Sequence, residues 1–195
     1  MNLALFDFDG TITTHDSLRD FLLNAFGIKH CIKKLGPVSP MILGYLLGIA
    51  DNQKVKTEVS KSFFSEMPES EFSIIAKKFA TEELDKIVKK SALEKIAWHK
   101  SNKDRIIVVS ASFTDYLKYW CEKEGLELIS TRLEIKDSKL TGYFSTPNCW
   151  GKEKVRRINE YLNIKDFEKI YAYGDSKGDL EMLNLAHEKG YRIFK

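Results

Sequence analysis

The sequence predicts an α/β fold, in which helices cover both faces of a parallel sheet and a helical module and a small β-hairpin are inserted. Three observations predict it. Short apolar runs that end in a polar residue recur along the chain, as in strands buried on both faces. Amphipathic helical stripes alternate with these runs after residue 100. Between residues 16 and 99, several helical stripes follow one another without a buried strand.

Composition limits the classes of function. A chain of 195 residues with 43% hydrophobic residues is long enough for one core domain with an inserted module. A net charge of +3 is too small to indicate a nucleic-acid partner. Three cysteines without ligand-like spacing argue against a disulfide scaffold or a zinc site. The acidic N-terminus does not resemble a signal peptide, so we expect a cytoplasmic protein.

The predicted strands are the apolar runs. They cover residues 3–6 before Asp7, 106–109 before Ser110 and 170–173 before the Gly174-Asp175 pair, with further candidates at 126–129 and 191–194. Residues 131–143 alternate in polarity and turn through Asp137-Ser138, which predicts a β-hairpin.

The predicted helices of the core are three apolar stripes, at residues 117–121, 155–162 and 180–186, the first ending at Gly125. The stripes of the insert cover residues 18–26, 55–63, 72–79 and 84–92. We therefore predict a core domain of residues 1–15 and 100–195 and a helical domain of residues 16–99.

Polar side chains follow three of the predicted strands. Because ligands bind at the carboxyl ends of strands in open α/β sheets, Asp7, Asp9, Ser110 and Asp175 should meet in one crevice. A lysine at the start of the helix after residue 150 could reach the same place. Clustered carboxylates need a cation, and Mg²⁺ is the natural one, while a lysine and a hydroxyl beside it complete a phosphate site.

Four segments resemble the motifs of the haloacid dehalogenase (HAD) superfamily of phosphotransferases. They are residues 7–11 (DFDGT), 108–112 (VVSAS), 149–154 (CWGKEK) and 174–179 (GDSKGD), in the family's order. The long helical insert after the first motif is similar to subfamily IB, which contains phosphoserine phosphatase. The resemblance implies a Rossmann-like core, an aspartyl-phosphate intermediate and an insert that caps the active site.

The resemblance implies a role for each acidic residue. Asp7 would be the nucleophile, and Asp9 would protonate the leaving group and then activate water. The ligands of Mg²⁺ would be the carboxylate of Asp7, the backbone carbonyl of Asp9 and the carboxylate of Asp175. Asp179 would orient the metal shell or the motif lysine.

The same resemblance implies which groups bind phosphate. These are Ser110 with Ala111, the turn at Gly10 and Thr11, and a lysine that offsets the charge between Asp7 and phosphate. Two choices stay open in the sequence. Ser112 competes with Ser110 but could cap the next helix, and Lys152 competes with Lys154, which the family's motif spacing favours.

Three positions bear on the identity of the substrate, two in the insert and one in the first motif. Asp16 stands where phosphoserine phosphatases use a glutamate to hold the substrate amine, but it also fits the N-cap of the first insert helix. Arg19, the insert's only arginine, is the candidate for a substrate carboxylate. Gly10 departs from the serine usual in those enzymes, which weakens a specific phosphoserine assignment.

Residues 38–50 (VSPMILGYLLGIA) form an apolar run with lysines on both sides. Two interpretations stay open: the run forms the core of the insert, or it makes weak contact with an anionic membrane surface. The second interpretation would suit a lipid-linked substrate.

We therefore expect a Mg²⁺-dependent phosphomonoester hydrolase that resembles phosphoserine phosphatase and acts on a small phosphorylated metabolite. One alternative is a lipid-phosphate phosphatase of the phosphatidylglycerophosphate type at the membrane surface. Another is a non-catalytic module that binds a phosphorylated ligand, although such a module would have no need of Asp9.

Overall fold

The structure, a computed structural model, describes residues 1–195 except for the side chain of Leu46. Its centre is a five-stranded parallel sheet with the strand order β3-β2-β1-β6-β7. The strands are β1 (Leu3–Phe6), β2 (Arg105–Phe113), β3 (Glu127–Thr131), β6 (Ile170–Gly174) and β7 (Glu188–Tyr191). The predicted α/β fold with a Rossmann-like parallel sheet is confirmed.

The central strand β1 is buried on both faces, because its residues 3–6 are all apolar. Ala4 and Phe6 pack into one hydrophobic cluster, and Leu3 and Leu5 pack into a second cluster on the opposite face. The helices α5 (Lys90–Ser101) and α6 (Thr114–Glu124) contribute to the first cluster, and α7 (Lys152–Tyr161) and α8 (Leu180–Leu183) to the second. The alternation of apolar runs and amphipathic stripes thus gives a three-layered core.

The predicted β-hairpin is present as β4 (Leu133–Lys136) and β5 (Lys139–Phe144), which pair antiparallel. Asp137 and Ser138 form its turn with positive φ angles of 50° and 59°. At Gly142, φ is 82°, and an added Cβ would lie 2.6 Å from the Cα of Lys61. Glycine is therefore required where the hairpin meets the inserted helices.

Four helices of the insert form what we call the cap: α1 (Ser17–Leu35), α2 (Ser39–Leu46), α3 (Asn52–Phe64) and α4 (Glu69–Glu82). α1 is interrupted at Gly27, whose φ of 74° is not helical. Four phenylalanines hold α1, α3 and α4 together, with Phe21 5.4–6.1 Å in ring-centre distance from each of Phe64, Phe72 and Phe79. Phe21 also lies 5.2 Å from the ring of Tyr116 in α6, so the cap packs directly on the core.

Two predicted elements differ from the structure. The stripe at 84–92 is not one helix: a short 3₁₀ helix covers Leu84–Ile87, Val88 is extended, and α5 follows. Val88 pairs with Thr13, which brings the chain back beside the segment that follows β1. The C-terminal strand is β7 at Glu188–Tyr191 and not residues 191–194, because the apolar Phe194 packs on the rings of Phe6 and Tyr173.

The domain boundaries at 1–15, 16–99 and 100–195 stay a prediction. The structure places α5 beside the sheet, where Ala92 and Ile96 join the core cluster. Inside α5, the ring of His99 bonds Asp104 at 2.8 Å and the Tyr173 hydroxyl at 2.9 Å. We propose that the core domain resumes at Val88–Lys89 and includes α5.

The segment 38–50 does not form the core of the cap. Met41, Tyr45 and Ile49 are exposed, Ile49 to 82%, and only Val38 is buried among the side chains described there. Within the described residues, no helix combines the length and the apolar character needed to cross a bilayer.

Candidate active site

The predicted residues meet at the carboxyl edge of the sheet. Asp7 follows β1, Ser110 lies in β2, and Asp175 follows β6, and these three strands are adjacent and parallel. Their ends therefore open into one cleft, as expected for an α/β sheet. The cap lies over this edge, and its helices α1 and α3 line the cleft together with Asp7 and Asp9.

Lys154 is the centre of the polar network in this cleft. Its Nζ donates to Asp7 Oδ1 at 2.6 Å, to Asp179 Oδ1 at 2.7 Å and to the carbonyl of Val109 at 2.7 Å. An ammonium group has three protons, so all of its donors are used. The side chain is 1% exposed, whereas Lys152 is exposed to solvent. The geometry therefore favours Lys154 over Lys152 as the functional lysine.

Burial and charge shape the ionisation of this network. Burial raises the pKa of Asp7 to about 7, against the opposing effect of Lys154. Asp179 is also buried, but Lys154 and the bonds from Ser176 outweigh this and hold the pKa of its carboxyl below the ordinary value. The second oxygen of Asp179 accepts from the backbone N–H and the hydroxyl of Ser176 at 2.9 and 2.8 Å. Asp179 is thus fixed in place and positions Lys154.

Asp9 points to a different side of the cleft. Its Oδ1 accepts a hydrogen bond from the backbone N–H of Ser17 at 2.7 Å, and its Oδ2 is bonded by the hydroxyl of Ser112. Burial raises the pKa of Asp9 above its ordinary value. The interpretation of Ser112 as a helix cap is wrong, because the N-cap of α6 is Phe113 and the hydroxyl of Ser112 serves Asp9.

Ser110 is fully buried inside β2, which continues past the predicted strand end to Phe113. Its Oγ accepts from the backbone N–H of Ser112 at 3.0 Å. A register shift between Ser110 and Phe113 bends the strand at this point. Its neighbour Ala111 lines the cleft. The role of Ser110 in binding a phosphoryl group stays a prediction.

Three carboxylates are arranged as a cation site would require. Asp7, Asp175 and Asp179 each offer one oxygen, and these oxygens lie within 4.8 Å of one another. Thr11 links two of them, because its hydroxyl lies 3.0 Å from Asp7 Oδ2 and 3.3 Å from Asp175 Oδ1. Lys154 supplies only one positive charge to this group, so the donor set fits a divalent cation with a preference for oxygen ligands. The side chain of Asp9 lies outside the cluster, and a contribution from its backbone carbonyl stays a prediction.

Gly10 follows Asp9 and has a φ of 77°. A Cβ at this position would lie 2.4 Å from Oδ2 of Asp175. A side chain there would therefore displace Asp175 as well as strain the backbone. This steric constraint accounts for glycine at a position where the sequence resemblance leads one to expect serine.

The cap contributes both predicted residues and one that the sequence reasoning missed. Asp16 is the N-cap of α1, where it accepts from the N–H of Arg19 at 3.1 Å, and both residues are exposed at the edge of the cleft. The missed residue is Lys56 in α3, whose Nζ donates to the carbonyl of Ala111 at 2.5 Å. Burial lowers the pKa of Lys56, although Asp16 and Asp9 act in the opposite direction. One signal was available: Lys56 borders the apolar stripe that contains Val55 and Val59.

Comparisons with known proteins agree with this arrangement. Residues 4–184 match the haloacid dehalogenase-like hydrolases. Protein CicA of Caulobacter vibrioides is 31% identical over 195 residues, which are 99% of this chain and 86% of CicA. A Bordetella pertussis Tohama I protein of unknown function has a similar structure, with a TM-score of 0.82, 22% identity and coverage of 96% of this chain and 88% of that one.

A substrate-bound phosphoserine phosphatase complex is also similar in structure, with a TM-score of 0.70 and 20% identity over 98% of this chain and 87% of that one. At this level of identity, the likeness concerns the fold. The family match, which covers nearly the whole chain, and the four motifs at one edge of the sheet together lead to one conclusion: this chain belongs to the haloacid dehalogenase-like hydrolases.

Proposed function

We propose that this protein is a Mg²⁺-dependent phosphomonoester hydrolase in which Asp7 forms an aspartyl-phosphate. One observation carries the proposal: Lys154 holds Asp7 and Asp179 with bonds of 2.6 and 2.7 Å in a buried site. The lysine fixes the direction of the Asp7 carboxylate and offsets the charge that accumulates when a phosphate dianion approaches it. Such fixed positive charge is the usual means of stabilising phosphoryl transfer.

The two acids at the end of β1 would divide the chemistry. A carboxylate oxygen of Asp7 attacks phosphorus, the bond from phosphorus to the ester oxygen breaks, and that oxygen takes a proton from Asp9. Water then attacks the phosphorus of the aspartyl-phosphate, gives a proton to Asp9 and releases phosphate and the Asp7 carboxylate. The raised pKa of Asp9 supports its first role, because it favours the protonated form needed to donate.

The residues that would hold Mg²⁺ are Asp7, Asp175 and Asp179. Bound there, the ion would neutralise the carboxylates and polarise phosphoryl oxygens. Thr11 keeps Asp7 and Asp175 together through its hydroxyl. Gly10, with its positive φ, leaves space for the side chain of Asp175 and lines the cleft, while its backbone N–H donates to the Thr13 hydroxyl at 3.3 Å.

The substrate would be a small phosphorylated molecule that enters the cleft under the cap. Asp16 and Arg19 are both at the cleft edge, which keeps phosphoserine as a substrate to test first. Lys56 is better placed than Arg19 to meet an anionic group, because its Nζ reaches the core at Ala111 while Arg19 is exposed.

The test is phosphate release from a panel containing p-nitrophenyl phosphate, phosphoserine and a lipid phosphate, with Mg²⁺ or with EDTA. The variant Asp7→Asn keeps the shape of the side chain but removes the nucleophile. The matched control is Asp137→Asn, an exposed aspartate at a positive φ that asparagine tolerates. We expect release that requires Mg²⁺, is lost in Asp7→Asn and is retained in Asp137→Asn.

The same experiment separates the enzyme from a binding module. Release from no ester, by folded protein that still binds Mg²⁺, would contradict hydrolysis and favour a non-catalytic role in binding a phosphorylated ligand. Trapping of a phosphate on the wild-type chain that survives acid quenching, is released by alkali or hydroxylamine and is absent from Asp7→Asn would support the covalent intermediate directly.

Membrane contact through residues 38–50 is a separate prediction. Leu43, Leu47 and Ile49 are exposed to 57–82%, and Lys54 is exposed next to them. Flotation with anionic liposomes at low and high salt checks it. An absence of binding at both salt concentrations would contradict it.

A further inference from the structure

We propose that the substrate of this site is an amphipathic phosphate monoester whose extended apolar chain occupies the cavity beneath the cap. The inference rests on the proposed phosphohydrolase function and names the class of ester. Its evidence is the size of the cavity, the distribution of polar and apolar side chains along its wall and the position of its opening.

The cavity that begins at Asp7 and Asp9 is large. Its volume is about 1200 Å³, and it continues from the catalytic edge of the sheet between α1, α2 and α3. Sites for drug-sized ligands measure roughly 300–1,000 Å³. A phosphorylated amino acid has only a few carbon atoms, so it would occupy the catalytic end and leave the greater part of this volume unfilled.

The wall of the cavity is divided into a charged end and an apolar end. The charged end includes Asp7, Asp9, Lys56, Lys154 and Asp175, and Asp16 and Arg19 lie at its edge. Away from it, the wall is formed mainly by aliphatic side chains of the cap. These side chains include Leu22, Leu35, Ile42, Val55 and Val59.

An apolar wall of this kind selects against polar substrates. Buried water needs two to four polar partners, which aliphatic side chains do not provide. Two polar groups on the cap side are already engaged, because the side-chain amide of Asn52 donates to the Tyr45 hydroxyl at 2.9 Å and its oxygen accepts from Asn148 at 2.7 Å. An alkyl chain would gain free energy by leaving water for this wall, whereas a sugar or amino-acid group would lose hydrogen bonds.

The opening of the cavity also suits an amphipathic molecule. Ile28 and Ile32 line the cavity and are 61% and 66% exposed, so apolar surface continues from its interior to the outside of the cap. At the opposite end, Lys56 and Lys154 offer positive charge to a phosphate group. A phosphate head and an apolar tail therefore match the two ends in charge and polarity.

The test is a series of n-alkyl phosphates from ethyl to dodecyl, assayed below their critical micelle concentrations. We expect kcat/KM to rise by about fourfold per added methylene over the first several carbons, the value for transfer of a methylene group out of water. The rise should come mainly from KM, because the added carbons lie far from the reacting phosphorus.

Two cavity-filling variants test where the alkyl chain of the substrate binds. Val59→Phe and Ile42→Phe each add volume to the apolar wall, and the matched control is Ile74→Phe, which is 70% exposed on α4 outside the cavity. We expect either filling variant to lower the ratio of dodecyl to ethyl phosphate kcat/KM by at least tenfold. Ile74→Phe should leave this ratio unchanged, and thermal unfolding shows which variants are folded.

The outcomes separate this inference from the proposed function. Release from ethyl phosphate or phosphoserine with no gain from chain length overturns the inference and leaves the hydrolase standing. Release from no ester overturns the hydrolase. A preference for long chains that neither filling variant reduces places the chain elsewhere and also overturns the inference.

A final comparison identifies whether the apolar tail of the substrate belongs to a soluble amphiphile or to a membrane lipid. A monoalkyl phosphate in solution is compared with a phosphatidic acid in phosphatidylcholine vesicles. Both contain the proposed phosphate head and apolar tail, and hydrolysis of either with a higher kcat/KM than that of ethyl phosphate supports the inference. Preference for the vesicle substrate would assign the exposed apolar opening to a lipid surface, and preference for the free substrate would assign it to a soluble amphiphile.

Discussion

The core side and the cap side of the cavity hold their polar atoms in different ways. On the core side, Lys154 uses all three of its protons on Asp7, Asp179 and Val109, and Asp179 is bonded in turn by Ser176. On the cap side, Lys56 makes one hydrogen bond, to Ala111. The cap also contains Ser60, whose buried hydroxyl is the one buried side-chain polar atom without a partner in the part of the chain that the structure describes.

We propose that this difference assigns the reaction to the core side of the cavity and the selection of substrate to the cap side. A fully bonded network fixes the positions of charges, which a phosphoryl-transfer site requires. An apolar wall imposes few directional constraints and sorts ligands by size and polarity. Changes on the core side should therefore affect turnover and folding together, and changes on the cap side should affect mainly substrate preference.

The largest expected effect is that of Lys154→Met. It leaves Asp7 and Asp179 buried without their cation, which should cost about 3–5 kcal/mol in the free energy of unfolding. Turnover of p-nitrophenyl phosphate should fall by roughly 10²–10³-fold. Denaturant unfolding and steady-state kinetics measure the two effects, and Lys152→Met, at an exposed position two residues earlier, should change neither.

The second effect compares two glycines with nearly equal φ angles, 77° at Gly10 and 74° at Gly27. Gly10→Ala in the core should lower turnover by about 100-fold, because the new Cβ displaces Asp175. Gly27→Ala in the cap has a φ of 74° and no heavy atom within 4 Å of the added Cβ. With a ψ of 158°, this position lies in a region that is nearly restricted to glycine, so the substitution should cost about 1–3 kcal/mol in the free energy of unfolding and leave turnover largely unchanged. Equal losses of turnover in both variants would contradict the steric role of Gly10.

The third effect is smaller and lies on the cap side. Lys56→Met removes the cap's charge near Ala111 and Asp9, so KM for a phosphate ester should rise by about tenfold, the value of one charge-assisted hydrogen bond. The value of kcat should change less. Lys54→Met is the control, because Lys54 is exposed on the same helix. A fall in kcat with KM unchanged would place Lys56 in the chemical step instead.

The smallest effect concerns Ser60. Replacing it with alanine removes a buried hydroxyl that has no partner, so the free energy of unfolding should stay the same or rise by about 1 kcal/mol. Ser112→Ala, which removes the bond to Asp9, should instead destabilise the protein by a similar amount. Denaturant melts of the two variants measure this contrast. Destabilisation by Ser60→Ala would show that the hydroxyl has a partner in solution.

The sequence was sufficient for features that depend on short-range patterns. Asp7 and Asp175 were found because an apolar run followed by an acid marks a strand end in a parallel sheet, and such ends meet at one edge. The prediction of one helix at residues 84–92 is wrong because it also relied only on the local spacing of apolar residues. Leu84, Val88 and Ala92 have helical spacing, but Val88 is extended, pairs with Thr13 and packs on the hydrophobic cluster of the core.

Lys56 shows what short-range patterns miss. It lies 55 residues before Ala111, and its contact depends on how the cap is seated on the core, which no local periodicity encodes. The choice between Lys152 and Lys154 depends on which side of α7 faces the cleft, and the prediction of a helix alone does not give this. The different roles of Ser110 and Ser112 also depend on the register shift in β2, after which the hydroxyl of Ser112 donates to Asp9. A local sequence pattern does not predict this shift.

The pairing of Thr13 with Val88 has a consequence for how this fold changes over evolution. The N–H of Thr14 bonds the carbonyl of Ile87 at 2.8 Å, and the N–H of Lys89 bonds the carbonyl of Ile12 at 2.8 Å, so the intervening segment leaves and re-enters the core at adjacent points. A segment whose ends adjoin can be lengthened, shortened or replaced at little cost in loop-closure entropy and without moving the sheet. The segment between Thr13 and Val88 can therefore be replaced by a different one while the core stays unchanged, and the same catalytic centre can then bind different ligands.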